Sequence, residues 1–145
     1  MLENFIKEFQ AEANLDNPLP MDDPHVATIP LDEDIQIRIE EVPEGYQVAC
    51  VVCEAPPGEP VELYKEMMTG NLMGQGTEGA WLGLTDDGSG ITLMQMWPPK
   101  MSYADFSDRV EDLINVIDLW VDEVKAAKVK LQSEENLGEN PLSMR

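Results

Sequence analysis

The chain has 145 residues and 43% apolar content, enough to bury one core without disulfide or metal staples, and it carries a formal net charge of −20 from 29 acidic against 9 basic side chains. That charge is spread over both halves of the sequence and repels phosphate backbones and anionic bilayers, so nucleic acid and membrane are excluded as leading partners. One His and two Cys cannot supply the four ligands of a zinc site, and no stretch approaches the roughly twenty apolar residues of a membrane helix.

Leu2, Phe5, Ile6, Phe9 and Ala13 recur at helical spacing opposite Glu3, Lys7, Glu8 and Glu12, which predicts a short amphipathic helix over residues 3–14. Asn14-Leu15-Asp16-Asn17-Pro18 ends it, and residues 16–24, with three prolines and three aspartates, read as an irregular connector. Val26 to Pro30 reads as a short strand. In the next, Ile35, Ile37 and Ile39 alternate with Gln36, Arg38 and Glu40, giving one buried and one wet face. Pro43-Glu44-Gly45 supplies a turn, and the more uniformly apolar run Tyr46 to Cys53 reads as a central strand.

Pro60 opens a second helix over Val61 to Met73, with Gly74 at its end, and Gly74-Gln75-Gly76-Thr77-Glu78-Gly79 reads as flexible and polar. Ala80 to Thr85 and Gly90 to Met96 form a hairpin across Asp86-Asp87-Gly88-Ser89. Ser102, with Asp105 three residues on, reads as a capping box for a long last helix carrying Phe106, Val110, Leu113, Ile114, Ile117, Trp120, Val121 and Val124 on one face. Lys125, Lys128 and Lys130 near its end complement the helix dipole. The expected fold is α+β, an antiparallel twisted sheet with helices in the order α-β-β-β-α-β-β-α, as one domain over residues 1–132 with a frayed tail at 133–145.

Chemistry is sparse. The acidic neighbours follow from composition, Asp86-Asp87-Gly88 lacks the downstream Glu of a calcium loop, and His25 stands alone in a proline-rich stretch. Gly70, Gly74, Gly76 and Gly79 do not follow a strand as a phosphate loop must. Cys50 and Cys53, in the run Val48 to Cys53, read as strand thiols of a reducing compartment. No catalytic residue, cofactor or metal is expected. Met67, Met68, Met73, Met94, Met96 and Met101 gather in the second helix and second hairpin, where Met serves equally as core filler and as an adaptable partner surface, and sequence does not separate the two. Trp81, beside Leu82 and Leu84, suits an interface anchor.

The helix ending in a small-residue turn, the hairpin Gly79-Ala80-Trp81-Leu82-Gly83-Leu84 with Gly90-Ile91-Thr92-Leu93, and the long last helix with Trp120 resemble the class I type III secretion chaperones, the Tir chaperone (CesT-like) family. The resemblance covers nearly the whole length through element order, size and acidity, and rests at residue level on about 63–124. The proline-rich connector departs from the pattern. What the resemblance implies is a non-enzymatic bacterial cytoplasmic chaperone, a homodimer or a heterodimer with a related chaperone, that holds the N-terminal region of a secreted effector or gatekeeper protein extended and secretion-competent. Carried onto this sequence, the dimer interface would use Leu63, Met67, Leu72, Trp81 and Leu84, and the cargo surface Phe5, Phe9, Ile35, Ile37, Val48 and Val52. An alternative is an acidic regulatory adaptor for a transcription or secretion-apparatus component, and an enzyme would need converging carboxylates with shifted ionisation.

Overall fold

A computed structural model describes residues 1–138 except 59, 75 and 78. Helix α1 (Leu2–Glu12) is followed by strands β1 (Val26–Pro30), β2 (Gln36–Val42) and β3 (Gly45–Glu54). Helix α2 (Val61–Asn71) runs into a single 3-10 turn, Leu72–Gly74; strands β4 (Trp81–Leu84) and β5 (Gly90–Trp97) and helix α3 (Tyr103–Gly138) complete the chain. Five antiparallel strands form one sheet in the order β1-β2-β3-β5-β4, so β1 and β4 are its edges. The α+β class and the order read from the sequence are those of the structure.

Each element follows from local chemistry. Pro43 and Glu44 form the two-residue link between Val42 and Gly45, and a side chain on Gly45, whose φ is +141°, would collide with the Trp97 carbonyl. The β4–β5 turn is tied by Asp87, whose Oδ1 accepts from the Ser89 amide (3.0 Å), the Ser89 hydroxyl (2.7 Å) and the Thr85 hydroxyl (2.7 Å). These bonds hold its carboxyl at about 2, below the usual carboxylate range. At the start of α3 the Asp105 amide donates to Ser102 Oγ (3.1 Å) and the Ser102 amide to Asp105 Oδ2 (3.2 Å), a reciprocal capping box.

Helices α1 and α3 lie across one face of the sheet. Under them sit Ala27 and Ile29, Ile37 and Ile39, Val48, Cys50 and Val52, Leu82, and Ile91, Leu93 and Trp97. Phe5 stacks on Phe106 at 5.0 Å between centroids, and Trp97 meets Phe106 edge-on at 5.8 Å, so the aromatic cluster joins both helices to the strands. Helix α2 sits instead beyond the β4 edge and against α3: Gly70 lies so close to Trp120 that an added Cβ would come within 2.8 Å of the ring. Trp120 Nε1 donates to the Gly76 carbonyl at 3.0 Å, and the Gly76 amide donates to the Gly70 carbonyl at 3.0 Å.

Two local expectations change. The described part of 74–79 is pinned rather than flexible: Thr77 is buried and its hydroxyl donates to the Ala80 carbonyl. Helix α3 runs on to Gly138 because Ser133 to Leu137 contains no Pro or Gly to stop it, so Lys125, Lys128 and Lys130 fall short of the last turn. The rest of the expected tail, 139–145, lies outside the described residues.

Candidate protein-interaction surfaces

Strand register divides the side chains opposite the helices into two halves. Trp81, Met94, Ala49, Arg38 and Thr28 form one row across the sheet; Gly83, Thr92 and Val51 form a second; Met96, Gln47, Glu40 and Val26 form a third. Towards β1 and β2 this face is charged, and Arg38 pairs with Glu40 at 2.9 Å. Over β3, β5 and β4 none of these residues is charged, and Val51, Met96 and Trp81 are exposed. Next to β4 the end of α2 adds Met68 (74% exposed), Leu72 and Met73 (90% exposed). Met73 also has φ +53°, a left-handed conformation that disfavours residues with a Cβ, so a strained position holds a wholly solvated apolar side chain.

The α2 end is clasped to the sheet edge by one side chain. Asn71 Nδ2 donates to the Leu82 carbonyl at 3.0 Å, and the Leu82 amide donates to Asn71 Oδ1 at 2.7 Å, so the amide mimics a neighbouring strand there.

Of the residues expected at a dimer interface, Leu72, Trp81 and Leu84 are exposed at the β4 end, Trp81 on the face opposite the helices and Leu84, level with Ile91, on the helix side, whereas Leu63 and Met67 are buried in the monomer core. The inward face of α2 is fixed by α3, through Gly70 and Trp120, a contact fifty positions apart in sequence. Of the residues expected at a cargo surface, Phe5, Ile37, Val48 and Val52 are core residues, and Phe9 and Ile35 are half-buried at its margin. The structure brings these six together, but beneath the helices rather than on an open surface. Val51 and Ala49 were not singled out from the sequence; the apolar run Val48 to Cys53 is the signal, because it puts side chains without charge on the outward as well as the inward face of β3.

Among the described residues no three His, Cys, Asp or Glu side chains gather as metal ligands. Both cysteines are free thiols on β3; burial pushes Cys50 up to about 12 and raises Cys53 as well, so neither is a ready nucleophile. Among the described residues no helix is long and apolar enough to cross a membrane.

Residues 4–121 match the model of the Tir chaperone protein (CesT) family. The chain belongs to that family. As a member of the Tir chaperone family it is a chaperone of type III secretion, as the resemblance read from its sequence implies. A Chlamydia pneumoniae protein designated CPj0713/CpB0740 is 28% identical over 130 residues, spanning 88% of this chain and 99% of that one. Among solved structures, the heterodimeric ExoU–SpcU complex from the type III secretion system of Pseudomonas aeruginosa superposes with a TM-score of 0.62 at 14% identity, covering 88% of this chain and 97% of that one. Escherichia coli YbjN, a candidate transcription regulator, superposes with 0.60 at 13% identity over 85% and 90% of the two chains. Likeness at these identities shows the shared fold, and the family match is what separates secretion from transcription.

Proposed function

We propose that this Tir chaperone family member is a cytoplasmic, non-enzymatic dimer of identical subunits that holds the N-terminal region of a secreted effector or gatekeeper protein in extended form. One observation carries the reading: a chain of net charge −20 keeps three successive rows over β3, β5 and β4, with the adjoining end of α2, free of charge and lined by exposed Met and Trp81, the exposed Glu54 opposite Gly90 marking their margin. Exposed apolar area of this kind is costly unless it is covered by another polypeptide. A second copy suits it, because the flexible thioethers of Met68, Met73 and Met96 repack around a symmetric partner and Trp81 supplies a rigid anchor. The HopA1–SchA chaperone–effector complex, which shares the fold with a TM-score of 0.64 at 16% identity over 83% of this chain and 93% of that one, supports an effector as the further partner. The acidic shell elsewhere keeps the loaded assembly in solution and favours basic cargo segments.

The test is the mass of the native chain alone and after co-expression with N-terminal segments of secretion effectors. A dimer that takes up one effector segment per two chains is expected. A monomer alone and with every effector would overturn the reading. Salt separates it from the acidic adaptor: between about 0.1 and 0.5 M salt a cargo seated by apolar side chains loses only the part of its affinity that comes from basic flanks, whereas binding through surface carboxylates alone is lost.

A further inference from the structure

The β1 edge of the sheet is occupied by the chain's own connector. An edge strand turns every second N–H away from its neighbour, and in β1 these positions are Val26, Thr28 and Pro30. The Val26 amide donates to the Asp23 carbonyl at 3.0 Å, the Thr28 amide donates to the Pro20 carbonyl at 3.1 Å, and Pro30 has no N–H. Every outward donor is thus used or absent. Side chains of the connector follow suit: Leu19 is 8% exposed and part of the core, Pro20 is exposed, and Met21 is half-buried against the core, the in-out-in alternation of a strand.

The imitation is weak. Pro18, Pro20 and Pro24 remove three donors, and a single bridge between Asp23 and Val26 is all the pairing that results. Beyond that local turn, one backbone bond, from Thr28, and two apolar side chains hold the segment down.

We propose that residues 18–24 are an internal placeholder for cargo. They cover the β1 edge in the empty chaperone and leave when an extended cargo segment pairs with Val26 and Thr28 and seats two apolar side chains, two residues apart, where Leu19 and Met21 lie. The inference rests on the chaperone reading and specifies its cargo chemistry. Asp32, Glu33 and Asp34 follow one end of β1 and Glu41 lies by His25 at the other, within 3.4 Å, so the segment that fits carries Lys or Arg outside its apolar pair. Displacing the placeholder lowers the apparent affinity by the fraction of chains in which the edge is open.

The probe is a fluorescein-labelled synthetic nonapeptide, KSTLTLTSK, titrated into the full chain and into a Leu19→Ser/Met21→Ser double variant. Freed of its competitor, the variant binds at least about ten-fold tighter. Equal or weaker binding by a folded variant, or no binding by either protein, overturns the proposal. Should the variant fail to fold, peroxide oxidation of Met21 on the unmodified chain decides: at saturating peptide the Met21 thioether, half-buried against the core when the connector is in place, is oxidised at least about three-fold faster, while the Thr28 amide stays protected from hydrogen exchange. Unchanged oxidation of Met21 sinks the placeholder. An effector complex that forms with Met21 still shielded removes the placeholder and leaves the chaperone reading standing, whereas peptide displacement without any effector complex removes the chaperone reading.

Discussion

The two ends of the sheet meet water in opposite ways. At the β4 end the edge is fastened by Asn71, an amide on a helix that is itself locked to α3 through Gly70 and Trp120, and the face beside it is apolar and exposed. At the β1 end the face is charged and the edge is covered by a proline-rich segment holding on by little. On the proposed reading the difference teaches that exposure and rigidity are distributed by role: a surface for a permanent partner is preformed and uncharged, and a surface for a transient one is guarded by something that can let go.

The sharpest break of this comparison concerns residues that the family resemblance implies for a cargo surface. Phe5→Ala is expected to destabilise the fold by about 3–5 kcal/mol, because it empties the stack between α1, α3 and β3, and urea unfolding reads this directly. A loss below about 1 kcal/mol would show that Phe5 is not the core residue described. Trp81→Ala is expected to leave the unfolding midpoint of the monomer nearly unchanged while weakening self-association by at least about 2 kcal/mol, roughly thirty-fold in the dimer dissociation constant. The matching change at the other end, Arg38→Ala, should leave the native mass unaltered. If both substitutions acted alike, the apolar half would have no special role.

Asn71→Ala strips both backbone partners from Leu82 and is expected to cost about 1–3 kcal/mol. Hydrogen exchange should then rise at the Leu82 amide while β2 and β3 remain protected, which locates the loss at the β4 end. Smaller effects come from pH. Burial holds Cys50 at about 12 against an ordinary 9.0, so its contribution to stability is complete below about pH 9 and is lost as pH climbs towards 12. Alkaline titration of the urea midpoint should fall in that window, and alkylation at pH 8 should spare Cys50 until the chain unfolds. Asp87 has the opposite sign: its turn contributes fully above the ordinary carboxylate value of 3.8 and fades only as pH drops through about 2, visible as hairpin amide shifts in NMR spectra.

Much of this architecture is legible in the amino-acid order, for local reasons. The Ser102–Asp105 cap, the Asp87-Gly88 hairpin and the period-two pattern of β2 are set by neighbours in sequence, and the structure contains all three. What escaped notice depends on distant contacts. The amphipathic pattern of α2 is diffuse, and only the packing of Trp120 on Gly70 decides that Leu63 and Met67 point inward while Met68 and Leu72 do not. Leu19 stands alone between two prolines, so no periodicity announces that it is buried. For the same reason the surfaces are harder to read than the fold: an alternating strand tells which residues share a face, but not which face the helices choose to cover.

The Asn71 clasp has a consequence for behaviour at high concentration. Because the backbone of Leu82 is already saturated from within the chain, a neighbouring molecule gains little by aligning its own strand there, and head-to-tail growth into fibrils has no template at that point. If association runs instead through the broad side of the sheet, as proposed, two-fold pairing closes on itself, and crowded solutions of this protein should contain finite particles rather than polymers.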